Sequence, residues 1–251
     1  MIIPATVLGV WTVVGTVGIA PAYLLPSPVA IVKSAYLYFA GNPDQGPFAG
    51  RFFNDVGVSL LRVGLGFFLA SLLGLPLGIM SGRVPVIHQL LSGSINAVRA
   101  VPGISWLPLA LVWFGIGLKT TVFLVALAAF FPIYLNAASG ARQVNPIWLQ
   151  SGAMMGVDSL RGTFLILIPA AMPQLITGLR LGLGISWAYL VLGELTGVPD
   201  GIGAVIMDAR MAGRIDMIMV GIILIALIGR LSDKLLVAGL RMFSKSARRM
   251  K

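Results

Sequence analysis

The chain contains no cysteine and only one histidine, His88. Neither a disulfide framework nor a thiolate metal site can be built from it. A single imidazole with no second His or Cys is a poor start for any metal centre, so His88 reads as an interfacial polar residue. Charge is scarce too: Asp, Glu, Lys and Arg make up 10% of the 251 residues, where soluble domains carry about 25%. Acids are the rarest, eight against eighteen Lys and Arg. The Gly-x-x-x-x-Gly-Lys-Ser/Thr phosphate loop, the Gly-x-Ser-x-Gly elbow and the His-Glu-x-x-His zinc helix are all missing. The sequence therefore assigns no catalytic residue, no metal ligand and no cofactor of its own.

What the chain has in excess is apolar length. Hydrophobic residues are 58% of the sequence and the mean hydropathy is +0.97. A transmembrane helix needs about 20 apolar residues, and most of the chain consists of such runs. The short alternating strands of a membrane barrel do not occur. The fold class expected is an all-α polytopic membrane protein with about six transmembrane helices. A net charge of +10 then points to basic ends facing anionic lipid rather than to nucleic acid.

The runs fall in order. Residues 2–19 form a first span; with no basic residue before Lys33 they lack a signal peptide's charged start and read as a retained helix. Pro26-Ser27-Pro28 starts a helix, and 29–40 have the spacing of an amphipathic segment at the membrane surface. Residues 41–50 carry turn chemistry. The second span, 56–80, holds Gly74 and Gly78, four apart on one face where another helix can approach closely, with Pro76 between them as an expected kink. The third, within 87–110, is broken by Arg99, Pro102 and Pro108. The fourth covers 120–139, the fifth 175–195 and the sixth 217–240, where Arg230 and Asp233 are spaced to pair. GISW occurs at 103 and at 184, which reads as coincidence. The tail 241–251 holds five basic residues, Arg241, Lys245, Arg248, Arg249 and Lys251. An even number of spans puts both termini on one side, and the basic tail makes that side the cytoplasm.

Between the fourth and fifth spans lies a short polar, glycine-bearing island, QSGAMMGVDSLRGTFLILIP, at 150–169. Gly156 is followed at a fixed distance by Ile166 and Pro169. This resembles the cytoplasmic signature loop of importer-type ABC transporter permeases: E-A-A, three residues, G, nine residues, I-x-L-P. Ile168 stands for the Leu. Gln150, Ser151 and Gly152 replace the E-A-A triplet; Gln keeps hydrogen-bonding capacity but not the charge. The line Val101 to Leu109 with Trp113-Phe114-Gly115, and the string GLRLGLGISWAYLVLGEL at 178–195, resemble the sulfonate, taurine and nitrate branch of the same family. The likeness covers roughly 56–240.

The resemblance implies a MetI-like permease fold in three parts: 1–55 as first helix and extracytoplasmic connection, 56–240 as the core, 241–251 as a cytoplasmic tail. It implies a coupling loop at about 141–174 with Gln150, Ser151, Gly152, Gly156, Asp158, Ile166 and Pro169 as its residues. Partners would be two copies of a cytosolic ATPase, which alone binds ATP and Mg, an extracytoplasmic solute-binding protein, a second copy of this chain, and the bilayer of a bacterial inner membrane. The chain itself would be no enzyme. The branch handles small organic sulfonates, taurine, nitrate or bicarbonate, and close relatives import vitamin precursors such as thiamine pyrimidines or riboflavin. Candidate path residues are Arg99, Pro102, Ser105 and Trp106 on the broken third span, and Arg180, Trp187 and Glu194 on the fifth. The broken span suits a cavity lining or a kinked packing helix. Arg180, Trp187 and Glu194 are seven apart and share a face, but Arg180 and Glu194 stand about 21 Å apart along the axis. Each needs another partner, as functional intramembrane charges or as interfacial anchors. Rival classes are an ion-coupled transporter, for which Glu194 and Asp233 are the candidate acids, and an intramembrane enzyme or assembly factor.

Overall fold

A computed structural model describes residues 25–243 together with Thr6, Gly9, Trp11 and Thr12, the side chains of Met242 and Phe243 excepted. The expected first span at 2–19 lies outside the described residues except for Thr6, Gly9, Trp11 and Thr12, and the tail beyond Phe243 lies outside them altogether. Every regular element among the described residues is helical. They are α1 (Pro28–Ala40), α2 (Phe52–Arg83), α3 (Pro85–Ala100), α4 (Leu107–Phe114), α5 (Leu118–Gln143), α6 (Pro146–Met154), α7 (Ser159–Gly162), α8 (Ile168–Glu194), α9 (Ile202–Met211) and α10 (Ile215–Phe243). Single turns occur at Pro43–Gln45 and Gly103–Trp106, and a wider π turn at Thr163–Leu167.

Among the described residues, four helices are long and apolar enough to cross a membrane: Phe52–Arg83, Leu118–Gln143, Ser159–Glu194 and Ile215–Arg241. The bent pair Pro85–Ala100 and Gly103–Phe114, at 87° to each other, could make a fifth. The expected third span is thus two helices meeting at nearly a right angle. Val101-Pro102 ends α3 because the residue before a proline is pushed out of the helical region. Pro76, expected to kink the second span, lies inside a helix that continues through it. The expected loop at 141–174 is mostly helix, from the end of α5 through α6 and α7 into α8. Its proline, Pro169, has no amide to donate, and the π turn just ahead of it takes up the altered hydrogen bonding.

The chain divides into two compact units, residues 1–61 with 191–228, and residues 62–190 with 229–251. In the second unit α5 is the central helix, with eleven buried residues. Small residues bring its neighbours close, as they do generally between membrane helices. A side chain on Gly78 of α2 would meet Ala137 Cβ and the Tyr134 carbonyl of α5 at 2.6 Å, and one on Gly182 of α8 would meet Ile133 at 2.8 Å. Ile133, fully buried, packs with Ala70, Ala129 and Leu179. The Tyr134 hydroxyl donates to Ser81 Oγ at 2.8 Å, and Ser81 Oγ lies 3.2 Å from His88 Nδ1. His88 therefore has a hydroxyl partner, and no metal-binding cluster of acids and histidines occurs among the described residues.

In the first unit, Ser27 caps α1 by accepting from the Ala30 amide, and Pro28 fits the first turn. The face Ile31, Ser34 and Tyr38 of α1 is buried, and the two apolar members pack with Phe48, Val205, Ala209, Met217 and Val220. Arg214 pairs with Asp216 at 2.6 Å, and the Ser34 hydroxyl donates to the same carboxylate.

Candidate functional site

The island forms a helix, a tight turn and a second helix start. Asn145 caps α6 by accepting from the Ile147 amide at 3.0 Å, with Pro146 in the first turn. At the other end the Gly156 amide donates to the Ala153 carbonyl at 3.0 Å and the Val157 amide to the Gly152 carbonyl at 2.9 Å. That pair of bonds is the Schellman C-cap, which needs a left-handed residue just past the helix, and Gly156 has φ +83°. Asp158 then caps α7 through the Arg161 amide at 3.3 Å. The signature spacing thus encodes a helix stop and a restart two residues later. The motif's two halves also touch: Gly152 is buried against Ile166, whose Cδ1 lies 2.5 Å from where a Cβ on Gly152 would sit. Gln150 and Ser151 face solvent. Around them the turn exposes Trp148, Met154, Met155 and Leu160, the two methionines at 91% and 84%. Arg83, at the end of α2, donates to Ser159 Oγ at 2.7 Å, a tie that sequence reading missed because residues 76 positions apart carry no local signal.

The break between α3 and α4 opens a second feature. Arg99, Gly103 and Trp106 from the break, Phe131 of α5 and Tyr189 of α8 line a cavity of about 300 Å³. Of the expected path residues it gathers only Arg99 and Trp106. Pro102 and Ser105 belong to the turn itself, where the Ser105 amide donates to the Pro102 carbonyl at 2.9 Å. Phe131 and Tyr189 were not foreseen, since nothing in a membrane helix's own sequence marks which aromatic faces a cavity.

Arg180 and Trp187 do share a face, and it meets α10. Arg180 donates through Nε and Nη2 to the two oxygens of Asp233, at 2.8 and 3.0 Å, and Arg230 lies 3.4 Å from the same carboxylate. The Trp187 indole donates to Ser232 Oγ at 3.0 Å. Glu194 lies with the first unit, fully buried. Ser59 Oγ donates to its carboxylate at 2.8 Å, and the Gly203 amide donates to it at 2.8 Å. Beside it the Ile202 amide donates to Ser59 Oγ at 2.9 Å and the Gly201 amide to Asp55 Oδ1 at 3.0 Å. Three successive amides at the start of α9 each find one side-chain acceptor, which removes the orphan donors of a buried helix start. Tyr38 completes the group by donating to Asp55 at 3.0 Å. Burial first, then the Asp55 charge, pushes the Tyr38 phenol far above its ordinary value and keeps it a donor.

Long lipid-compatible helices, small-residue packing around α5 and a capped turn carrying exposed apolar side chains define a multi-pass helical membrane protein. The chain belongs to the family of binding-protein-dependent transport system inner membrane components, whose family model matches residues 74–248. It is a transmembrane permease subunit of an ABC importer, of the sulfonate, taurine and nitrate branch. It is 34% identical over 233 residues to the protein named as the aliphatic sulfonates transport permease SsuC of Bacillus subtilis (strain 168), covering 93% of this chain and 82% of the relative. It is 32% identical over 229 residues to the taurine transport system permease protein TauC of Escherichia coli (strain K12), covering 91% and 82%. The fold is that of the membrane chain in inward-facing structures of the MetNI methionine ABC transporter, with a TM-score of 0.61, 19% identity, and coverage of 74% of this chain and 95% of that one.

Proposed function

We propose that this permease carries a small organic anion inward, receiving it from an extracytoplasmic binding protein and moving it when a cytosolic ATPase closes against the island. The carrying observation is the capped turn from α6 into α7. It is rigidly terminated at both ends, yet it presents Trp148, Met154 and Met155 to solvent, and exposed apolar patches of this kind mark interaction surfaces. Gln150, Ser151, Gly152, Gly156, Asp158, Ile166 and Pro169 act as the coupling residues. ATP and Mg bind the partner, present in two copies, and a second copy of this chain completes the membrane dimer. Both termini face the cytoplasm. The aliphatic sulfonates named for one relative support an anionic cargo, and the taurine named for another carries the same sulfonate head.

An ion-coupled mechanism is disfavoured by the state of the two candidate acids. Asp233 is engaged by Arg180 and Arg230, and Glu194 by Ser59 and the Gly203 amide. The test is a mild-detergent pull-down of this chain from native membranes with mass spectrometry. Recovery of an ABC ATPase is expected; its absence, under conditions where another permease keeps its own, overturns the proposal.

A further inference from the structure

The island is tied to the bundle at a point its signature does not include. Arg83, the last residue of α2, donates from Nη2 to Ser159 Oγ at 2.7 Å. Among the described residues this is the one side-chain hydrogen bond that reaches α6 or α7 from an earlier helix. Ser159 opens α7, and α7 runs through the π turn into α8, so that Ser159–Glu194 is one helical stretch of 36 residues. The tie therefore falls on the end of a rod. Thr163 Oγ1, at the start of the π turn, donates to the Ser159 carbonyl at 3.1 Å and joins the same point to the turn.

What stands behind Arg83 is rigid. A Cβ on Gly82 would run into the Ala138 carbonyl of α5 and come within 2.7 Å of Ala141 Cβ. One turn away, Gly78 and Ser81 meet Ala137 and Tyr134 of the same helix. Helices packed this closely cannot slide past each other without a clash. The covalent link from α5 to the island is looser: Val144 and Asn145 both leave the helical region, with ψ 126° and 122°. The acceptor of the Arg83 bond is a neutral hydroxyl at a helix start, where the dipole does not favour a cation. The bond fixes position more than it stores energy.

Resting on the transport reading above, we infer that Arg83 is a positioning residue for transport. It makes α2, which does not flank the island in sequence, move with the α7–α8 rod when the ATPase presses on the turn at 154–157. The push then reaches both helices packed on α5 at once. Without the tie it is taken up by bending at Val144 and at the π turn, and α2 stays behind.

The absence of native cysteine allows a test in the assembled complex. Ala128, on the wall of the cavity at the α3–α4 break, is changed to Cys in nanodiscs holding the chain with its own ATPase. That ATPase has its catalytic carboxylate changed to the amide, so that it keeps Mg-ATP bound, and alkylation of the cysteine by N-ethylmaleimide is timed. Mg-ATP is expected to change the labelling rate about fivefold or more, and Arg83→Ala to cut that change to less than about twofold while the ATPase still co-purifies. Ser159→Ala does the same, and the double variant is no worse than either single one, as for two residues acting through one bond. Ser159→Asp, which restores an acceptor, keeps the response, and Arg83→Lys keeps part of it. If Arg83→Ala is recovered aggregated, Ser159→Ala and Arg83→Lys carry the comparison. A full response in the alanine variants overturns the inference, as does additive loss in the double variant. A folded Arg83→Ala chain that loses the ATPase overturns it too, by placing Arg83 on the docking surface. No response to Mg-ATP in the parent overturns the coupling reading itself, and this inference with it.

Discussion

Gly156 and Gly152 are two glycines four apart on the same short segment, and physics asks different things of them. Gly156 holds φ +83° with open space where a Cβ would project, so its requirement is backbone conformation. An L-residue there costs about 1–2 kcal/mol. Gly156→Ala is expected to lower the melting temperature of the solubilised chain, and Gly156→Arg to abolish ATP-dependent uptake while leaving membrane insertion intact; normal uptake by the arginine variant would refute the coupling role. Gly152 is helical and meets chiefly the far end of a flexible Ile166 side chain. Alanine gains up to about 1 kcal/mol of helix propensity over glycine, so Gly152→Ala is expected to change stability by less than that. A large loss of Tm in that variant would mean Ile166 cannot move aside.

Between elements, the polar side chains act as fasteners whose value depends on burial. Ser59 donates to Glu194 and accepts from the Ile202 amide at the start of α9. Ser59→Ala leaves both groups without that partner, a loss of about 1–3 kcal/mol, readable as a lower thermal midpoint in detergent. On α8 and α10, the bidentate Arg180–Asp233 pair joins helices 53 positions apart in sequence. Asp233→Asn is expected to destabilise the chain, and the exchanged pair Arg180→Asp with Asp233→Arg to recover part of the loss, with a coupling of about 0.5–3 kcal/mol in a double-mutant cycle. Additive effects of the two changes would show the pair to be energetically idle.

For the whole molecule, α2 and α10 each carry a stripe of large exposed apolar side chains, Phe68 and Leu72 on one, Leu227 and Leu231 on the other. In water such stripes would aggregate; in lipid they need no cover. The chain is expected to stay in the membrane fraction through an alkaline wash. A fluorescent protein fused after Lys251 is expected to fold and fluoresce, and an alkaline phosphatase fused there to stay inactive; the reverse would invert the proposed orientation.

Much of this architecture is written in local properties. Apolar run length identified the second, fourth, fifth and sixth spans, because the solvation of a helix in lipid depends on its own side chains. The resemblance at 150–169 drew attention to this segment without showing its turn; the Schellman stop there is made by residues 152–157 alone, within about one turn of each other. Gly74 and Gly78 announced a close helix approach, and α5 is what approaches them. Partner choice was another matter. That Arg180 would meet Asp233, that Ser59 and Glu194 would cap α9, and that Arg99 would line a cavity with Phe131 and Tyr189 depends on how each helix is rotated and how far it slides along its neighbours. Those quantities come from the summed packing of many small contacts between distant segments, and no single stretch of the chain carries them.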